Sequence, residues 1–80
     1  MPKIQVYSRP GCHLCEYLIE EILPLIRGRA ELEVLNIDTQ EDWQKEYGTR
    51  IPVVEIDGRF VCQYPLDREA VSAAIAGFPG

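Results

Sequence analysis

The sequence predicts an α/β domain in which a mixed four-stranded sheet packs against three helices. Three observations support this class. An apolar run at residues 4–7 is followed by an amphipathic run at residues 14–26, which is typical of a strand that leads into a helix. An alternating run at residues 31–37 then completes a strand-helix-strand unit, for which a parallel, right-handed arrangement is expected. Finally, Asp57-Gly58 lies between two further strand-like runs and predicts a tight antiparallel hairpin.

The first strand is predicted over residues 3–7, with Ile4 and Val6 on one face. Because this strand comes first and is apolar, we expect it to lie inside the sheet. Pro10 and Gly11 indicate a turn within residues 8–11, and we expect Gly11 to let the backbone approach the next residue closely.

The first helix is predicted from Cys12 to about Arg27, because apolar residues recur at helical spacing at positions 14, 18, 22, 25 and 26. Pro24 cannot donate a backbone N–H to the preceding turn. We therefore expect a kink at Pro24, or a helix that ends at Leu23 and restarts. Gly28 is the predicted stop signal.

After the strand at residues 31–37, residues 38–42 predict a helix start with an approximate capping box. Trp43 and Tyr47 share one face of this short helix, which we assign to the core, and Gly48 ends it. The third and fourth strands are predicted over residues 51–56 and 59–63, and Pro65 ends the fourth. Asp67 is the predicted cap of the last helix.

That last helix has a predicted hydrophobic staple between Leu66 and Val71, and its inner stripe comprises residues 70, 71, 74 and 75. With four strands and three helices, coverage of both faces of the sheet is the economical packing.

Length, charge and composition limit the classes of function. Residues 1–80 are enough for one domain. The net charge of −5 and the scattered basic residues argue against nucleic acid, which requires a clustered positive face. No apolar run approaches the length of a membrane span, and the first residues do not resemble a signal peptide. We therefore expect a cytoplasmic monomer without nucleic-acid or membrane partners.

The chemistry of the chain is concentrated in Cys12-x-x-Cys15, which lies where the first strand gives way to the first helix. The first N–H groups of a helix have no internal partner and carry partial positive charge, which favours the reactive thiolate form of a cysteine placed there. Cys12 is the predicted outer, attacking sulfur, and Cys15, one turn further along, is the predicted resolving sulfur. In a reducing compartment such a pair indicates a catalytic, redox-sensing or metal-binding role.

The order of elements, the position of Cys12-x-x-Cys15 and the Ile51-Pro52 pair at the third strand together resemble the thioredoxin fold. The compact chain and its Ser-Arg-Pro-Gly-Cys-His-Leu-Cys stretch are similar to small bacterial glutaredoxin-like proteins. The resemblance covers nearly the whole chain. It implies a glutaredoxin-like β-α-β-α-β-β-α order and a small thiol–disulfide oxidoreductase, active in electron transport and cell redox homeostasis.

Carried over to this sequence, the resemblance implies that Cys12 is the nucleophile and Cys15 the resolving cysteine. It places Pro52 at the family's cis-proline, so that the backbone of Ile51 would lie beside the cysteines and pair with an extended substrate. Arg9 matches a basic position that helps glutaredoxins hold a glutathione carboxylate. The implied substrates are protein or low-molecular-weight disulfides, and the implied electron donor is glutathione or a thioredoxin-reductase system.

The sequence also departs from the glutaredoxin pattern. Cys62-Gln63 stand where glutaredoxins carry Gly-Gly, and the nearest following acid, Asp67, is shifted. His13-Leu14 replace the proline that usually lies between the two cysteines. We expect no bound cofactor. Glutathione is a candidate reductant and not a bound group.

Several alternatives stay open at this point. Cys62 is either a small buried strand residue or a third redox thiol. His13 is either solvated or tunes the Cys12 thiolate, and Arg9 is either solvated or holds an anion. Other functions are a metal-binding or iron–sulfur module and a redox-inert binding domain. A zinc site needs four ligands, for which Cys62 and His13 are the remaining soft candidates.

Overall fold

In the computed structural model, which describes residues 2–77, the predicted fold class and the order of elements are confirmed. The elements are β1 (Lys3–Ser8), α1 (His13–Ile26), β2 (Glu31–Asn36), a 3-10 helix (Ile37–Thr39), α2 (Glu41–Tyr47), β3 (Val53–Ile56), β4 (Arg59–Cys62) and α3 (Arg68–Ala76).

The four strands form one mixed sheet in the order β2-β1-β3-β4. β1 lies inside the sheet, parallel to β2 and antiparallel to β3, and β3 and β4 form the antiparallel hairpin. Tyr7, near the end of β1, pairs with Val53, the first residue of β3. Consequently the segment that follows β1 and the segment that precedes β3 lie at the same end of the sheet.

The helices cover both faces of this sheet. On one face Ile4 and Val6 of β1 belong to a buried cluster that also contains residues of α1 and α3, with Leu18 and Ile22 fully buried. On the other face Tyr7, Ile37 and Val53 are covered by Trp43 and Tyr47 of α2. The Tyr7 ring stacks on that of Tyr47 at 4.1 Å and meets Trp43 edge-on at 5.5 Å. Trp43 and Tyr47 therefore pack against the core, as predicted.

Of the two outcomes expected at Pro24, a helix that ends at Leu23 and restarts is wrong, and the kink stays a prediction. The helix continues through Pro24 to Ile26 and does not end at Leu23. Pro24 is exposed in the final turn, while Ile22 and Ile26 are buried in the core. Burial of these two side chains holds the last turn although Pro24 lacks an N–H. Gly28 then follows the helix with a φ of +76°, as the predicted stop signal requires.

The start of α2 was wrongly predicted. β2 ends at Asn36, and the side chain of Asn36 accepts a hydrogen bond from the Asp38 N–H at 2.9 Å, which caps the 3-10 helix. α2 begins later, at Glu41, and its N-cap residue Gln40 makes no side-chain capping bond. The predicted capping box is therefore absent from this described segment, because the polar residues after β2 form a separate short turn first.

The hairpin strands are shorter than predicted. β3 begins at Val53, because the N–H of Ile51 donates to the carbonyl of Tyr47 at 3.1 Å and is not available to the sheet. β4 ends at Cys62, one residue before the predicted end. The turn between the strands is as predicted, since Asp57 and Gly58 both have positive φ, of 52° and 77°.

The last helix begins as the sequence indicated. The Asp67 carboxylate accepts a hydrogen bond from the Ala70 N–H at 3.0 Å and caps α3. Val71 is buried, and Leu66 packs against the cluster that contains it. No helix within the described part of the chain is long and apolar enough to cross a membrane.

Candidate active site

A tight turn joins β1 to α1 and presents the first cysteine. The N–H of Cys12 donates to the carbonyl of Arg9 at 3.2 Å, which closes a four-residue turn. Pro10 and Gly11 occupy its two central positions, and the φ of Gly11 is +81°. Proline followed by a residue with positive φ is the pattern of a type II turn. Gly11 is thus required for its backbone conformation, and not for the predicted close approach, since an added Cβ would meet nothing within 4 Å.

The turn delivers Cys12 to the N-cap of α1, where its φ and ψ are −86° and 103°. The sulfurs of Cys12 and Cys15 lie at disulfide distance, and the two Cα atoms are 5.2 Å apart. Cys12 is partly exposed, whereas Cys15 is buried to 2% residual exposure. The more accessible sulfur is therefore that of Cys12.

The first turn of α1 also provides a hydrogen-bond donor to the Cys12 sulfur. The backbone N–H of Cys15 donates to Cys12 Sγ at 3.2 Å. An N–H group that has no partner within the helix favours negative charge on the atom to which it donates. When the disulfide is reduced, this donor stabilises a thiolate at Cys12 more than a thiol.

His13 and Arg9 each face a carboxylate near this turn. The Nδ1 atom of His13 lies 3.6 Å from the carboxylate of Glu16, and the His13 side chain is 81% exposed. The guanidinium of Arg9 donates from Nε to Asp38 Oδ1 at 3.1 Å and places Nη2 3.0 Å from the same oxygen. The sequence did not point to Asp38 as a partner of the site, because the two residues lie 29 positions apart.

Ile51 and Pro52 lie at the same end of the sheet as Cys12. Pro52 precedes Val53, which pairs with Tyr7, so the β1–β3 register places Pro52 opposite Ser8 at the start of the cysteine-bearing segment. Pro52 is buried, Ile51 is partly exposed, and the peptide bond between them is cis. The Tyr64-Pro65 bond is also cis, which the sequence reading did not foresee.

Gln63 makes a contact near the site that the sequence did not indicate. Its Nε2 donates to the carbonyl of Arg50 at 2.8 Å, so the end of β4 is tied to the segment that leads into Ile51. The N–H of Arg50 in turn donates to the carbonyl of Tyr47 at 2.8 Å. No local pattern reveals this bond, because it joins two loops that only the folded sheet brings together.

Cys62 is placed in the core and is free. It pairs with Val54 across the hairpin and belongs to the same buried cluster as Ile4 and Leu18. Burial raises the pKa of the Cys62 thiol, an effect that a hydrogen bond from the Asp67 backbone partly opposes. A buried thiol with a raised pKa is mostly protonated near neutral pH and reacts slowly. Between residues 2 and 77 no group of three or more His, Cys, Asp and Glu is arranged to hold a metal ion.

Comparison with known proteins identifies a family that matches nearly the whole chain. The family described as Glutaredoxin-like domain (DUF836) matches residues 3–76. Two mycobacterial proteins, Rv0508 of Mycobacterium tuberculosis and Mb0520 of Mycobacterium bovis, are each 27% identical to this chain over 82 aligned positions. Each alignment covers 94% of this chain and 84% of the mycobacterial protein.

Solved structures extend the comparison to three dimensions. The X-ray structure of protein XcR50 from X. campestris superimposes with a TM-score of 0.70 and 30% sequence identity, and the match covers 95% of this chain and 99% of that one. The germline-specific thioredoxin Deadhead of Drosophila melanogaster superimposes with a TM-score of 0.52 at 16% identity, over 94% of this chain and 78% of that one. The second match shows a shared thioredoxin-like fold.

Proposed function

Since the chain belongs to the glutaredoxin-like (DUF836) family, we propose that it is a small thiol–disulfide oxidoreductase that reduces disulfides through Cys12 and Cys15. The observation that carries this proposal is the geometry of the pair. The two sulfurs lie at disulfide distance on the first turn of α1, with the outer one partly exposed and the inner one buried. That arrangement allows the Cys12 sulfur to react with a substrate disulfide while the Cys15 sulfur stays shielded until the mixed disulfide has formed.

In the first step the Cys12 thiolate attacks one sulfur of a substrate disulfide. A new bond forms between Cys12 Sγ and that sulfur, the substrate S–S bond breaks, and the leaving sulfur departs as a thiolate that takes up a proton. The Cys15 N–H, which donates to Cys12 Sγ, stabilises the attacking thiolate before the bond forms. This donor comes from the backbone, so it persists in side-chain variants of residue 15.

In the second step Cys15 resolves the mixed disulfide. Its thiol loses a proton and attacks Cys12 Sγ, which releases the second substrate sulfur as a thiolate. The substrate has then gained two electrons and two protons, and the protein has passed from dithiol to disulfide. The Cα separation of 5.2 Å allows this bond without movement of the helix.

The substrate would lie over the end of the sheet where the two cysteines and the Ile51-Pro52 segment meet. The N–H of Ile51 is already bonded to the carbonyl of Tyr47, so the Ile51 carbonyl would be the group that accepts a hydrogen bond from an extended substrate. Arg9 and His13 would line the neighbouring surface. The hydrogen bond from Gln63 to the Arg50 carbonyl would hold the segment that leads into Ile51 in place. We propose that both protein disulfides and small disulfides are substrates of this site.

To return to the dithiol form, the protein requires two electrons from outside. We propose that a thiol-class donor supplies them in the cytoplasm, either two molecules of glutathione or a thioredoxin-reductase system. Redox titration, followed by alkylation of free thiols and mass spectrometry, distinguishes the two when it is run in glutathione buffer and again with reductase and NADPH. It also shows which cysteines pair and whether glutathione forms an adduct.

A single-turnover experiment tests the proposal without any external donor. The reduced protein, freed of excess reductant, is mixed with one equivalent of a peptide that carries one disulfide, and the released thiols are measured. We expect the Cys12→Ser variant to release none and the Cys15→Ser variant to accumulate a mixed disulfide visible by mass spectrometry. Cys62→Ala is the matched control, since it removes a thiol of the same chain that lies in the core.

Two results would count against the proposal. Reduction by the Cys12→Ser variant at the rate of the parent would remove Cys12 from the mechanism. Stoichiometric metal or visible absorbance in anaerobically purified protein, lost in Cys12→Ser, would instead assign the cysteines to a metal or iron–sulfur site.

A further inference from the structure

Arg9 is the residue that resemblance assigns to a substrate carboxylate, but in this structure a carboxylate of the chain itself already meets it. Two nitrogens of the guanidinium, Nε and Nη2, lie 3.1 Å and 3.0 Å from one oxygen of Asp38. Both side chains remain about two-fifths exposed, at 40% and 44%. The pair is therefore at the surface of the site, where a substrate would also approach.

The backbone of Asp38 is anchored by neighbouring residues. Its N–H donates to the Asn36 side chain at 2.9 Å, and its carbonyl accepts a hydrogen bond from Gln44 at 3.3 Å. The Thr39 hydroxyl closes the same turn by donating to the Asn36 carbonyl at 2.7 Å. Arg9 stands at the start of the turn that ends at Cys12. A carboxylate fixed in place costs less entropy to pair with than one carried by a free ligand.

The other arginine beside the site has the same kind of partner. Arg50 directly precedes Ile51, and its Nη1 lies 3.6 Å from the carboxylate of Glu46. Both arginines therefore have a carboxylate of the chain itself as counter-ion. A ligand carboxylate can pair with either arginine only by displacing the carboxylate already bound to it. If both carboxylates stay, they repel each other.

We propose that Asp38 is a specificity-determining residue, which by neutralising Arg9 makes the site select against disulfides that carry carboxylates close to the sulfur. Glutathione disulfide belongs to the disfavoured class, and uncharged polypeptide segments around a disulfide belong to the favoured one. The inference rests on the proposed function, since it concerns the substrate of the same site. Asp38 acts through Arg9 and is not itself a catalytic residue.

The experiment uses three small disulfides that differ in charge, namely cystamine, hydroxyethyl disulfide and 3,3′-dithiodipropionate. Their rates of reaction with the reduced protein are measured at low ionic strength, where exposed charges are least screened. In the Asp38→Asn variant the Arg9 charge is uncompensated. For a carboxylate about 6 Å away in water, this change is expected to raise the rate of the anionic disulfide, relative to the neutral one, about threefold. The relative rate of the cationic disulfide is expected to fall by a similar factor.

The controls separate a local effect from a general one. Glu21→Gln removes a carboxylate from a comparable surface pair with Arg68, which is 3.7 Å long, and leaves the Arg9 pair intact. It is expected to leave the charge ranking unchanged. Combining Arg9→Gln with Asp38→Asn is expected to restore the parental ranking. An unchanged ranking in Asp38→Asn, or an equal shift in Glu21→Gln, would overturn the inference.

A second readout does not depend on disulfide turnover. Cys12 is alkylated with iodoacetate, which is an anion, and with iodoacetamide, which is neutral. Because both reagents react with the same thiolate, the ratio of the two rates does not depend on the fraction of thiolate and reports the local electrostatic potential. We expect Asp38→Asn to raise this ratio about threefold, by the same Coulomb argument. If the parent alkylates normally but reduces none of the three disulfides, the proposed function fails. If it reduces all three and neither readout shifts in Asp38→Asn, this inference alone fails.

Discussion

Replacing Gly11 with alanine tests whether the turn before α1 positions the reactive cysteine. Gly11 has a φ of +81°, in the left-handed region, and an added Cβ would meet nothing within 4 Å. The substitution therefore isolates a backbone penalty, because no side-chain clash contributes. If the φ of residue 11 relaxes, the Cys12 N–H loses its bond to the Arg9 carbonyl, and the sulfur leaves the N-cap position.

The magnitude follows from two opposing terms. A residue with a Cβ costs about 1–2 kcal/mol in the left-handed region. Alanine also lowers the conformational entropy of the unfolded chain, which offsets about 0.4–1 kcal/mol. We expect the free energy of unfolding to fall by about 1 kcal/mol, which corresponds to a Tm lower by about 4–8 °C in a domain of this size.

The assay combines urea denaturation with the rate at which iodoacetamide alkylates Cys12 in the reduced protein. Gly58→Ala is the matched control, since Gly58 has a φ of +77°, equally open surroundings and a place in the hairpin at the opposite end of the sheet. Both variants should lose similar stability, but the alkylation rate should fall in Gly11→Ala alone. Equal alkylation rates in the two variants, or a Gly11→Ala protein as stable as the parent, would refute the reasoning.

Three further predictions concern Tyr47 and Cys62. Tyr47→Phe removes the hydroxyl that donates to Glu55 at 2.9 Å, so the free energy of unfolding at neutral pH should fall by about 1.5 kcal/mol in urea titrations. Burial, followed by the Glu55 hydrogen bond and charge, raises the pKa of Tyr47, so the folded state keeps a proton that the unfolded state releases near pH 10. Parental stability should therefore decline above about pH 10, and a decline just as steep in Tyr47→Phe would contradict this assignment. Cys62, whose pKa is raised by burial, should be alkylated in native reduced protein far more slowly than Cys12, and at a similar rate once urea has unfolded the chain.

Most of the fold could be read from the sequence because its signals are local. The alternation of apolar residues places β1, the glycines with positive φ mark the turns at Gly28 and Gly58, and Asp67 caps the helix that follows it. Each of these features depends on a few neighbouring residues and on the limits of backbone geometry. The same holds for Cys12 and Cys15, whose separation by two residues places both on one helical turn.

Two details at the ends of elements depend on contacts that the sequence pattern did not indicate. Pro24 remains inside α1 because Ile22 and Ile26 are buried against the sheet. Ile51 falls outside β3 because its N–H is taken by the carbonyl of Tyr47. In the first case burial against the sheet outweighs the local preference of proline. In the second a hydrogen bond to a residue four positions earlier extends the turn after α2 and delays the start of the strand.

By itself the sequence determined the class of fold, the position of the cysteine pair and which of its two sulfurs is the more exposed. These follow from periodicity, turn chemistry and the exposed N–H groups at the start of a helix. The tertiary structure alone decided the partners of the charged and polar groups around the pair, above all Asp38 for Arg9 and the Arg50 carbonyl for Gln63. The physical reason is that hydrogen bonds and ion pairs act over a few ångströms, and only the sheet brings residues separated by 29 and 13 positions to that distance.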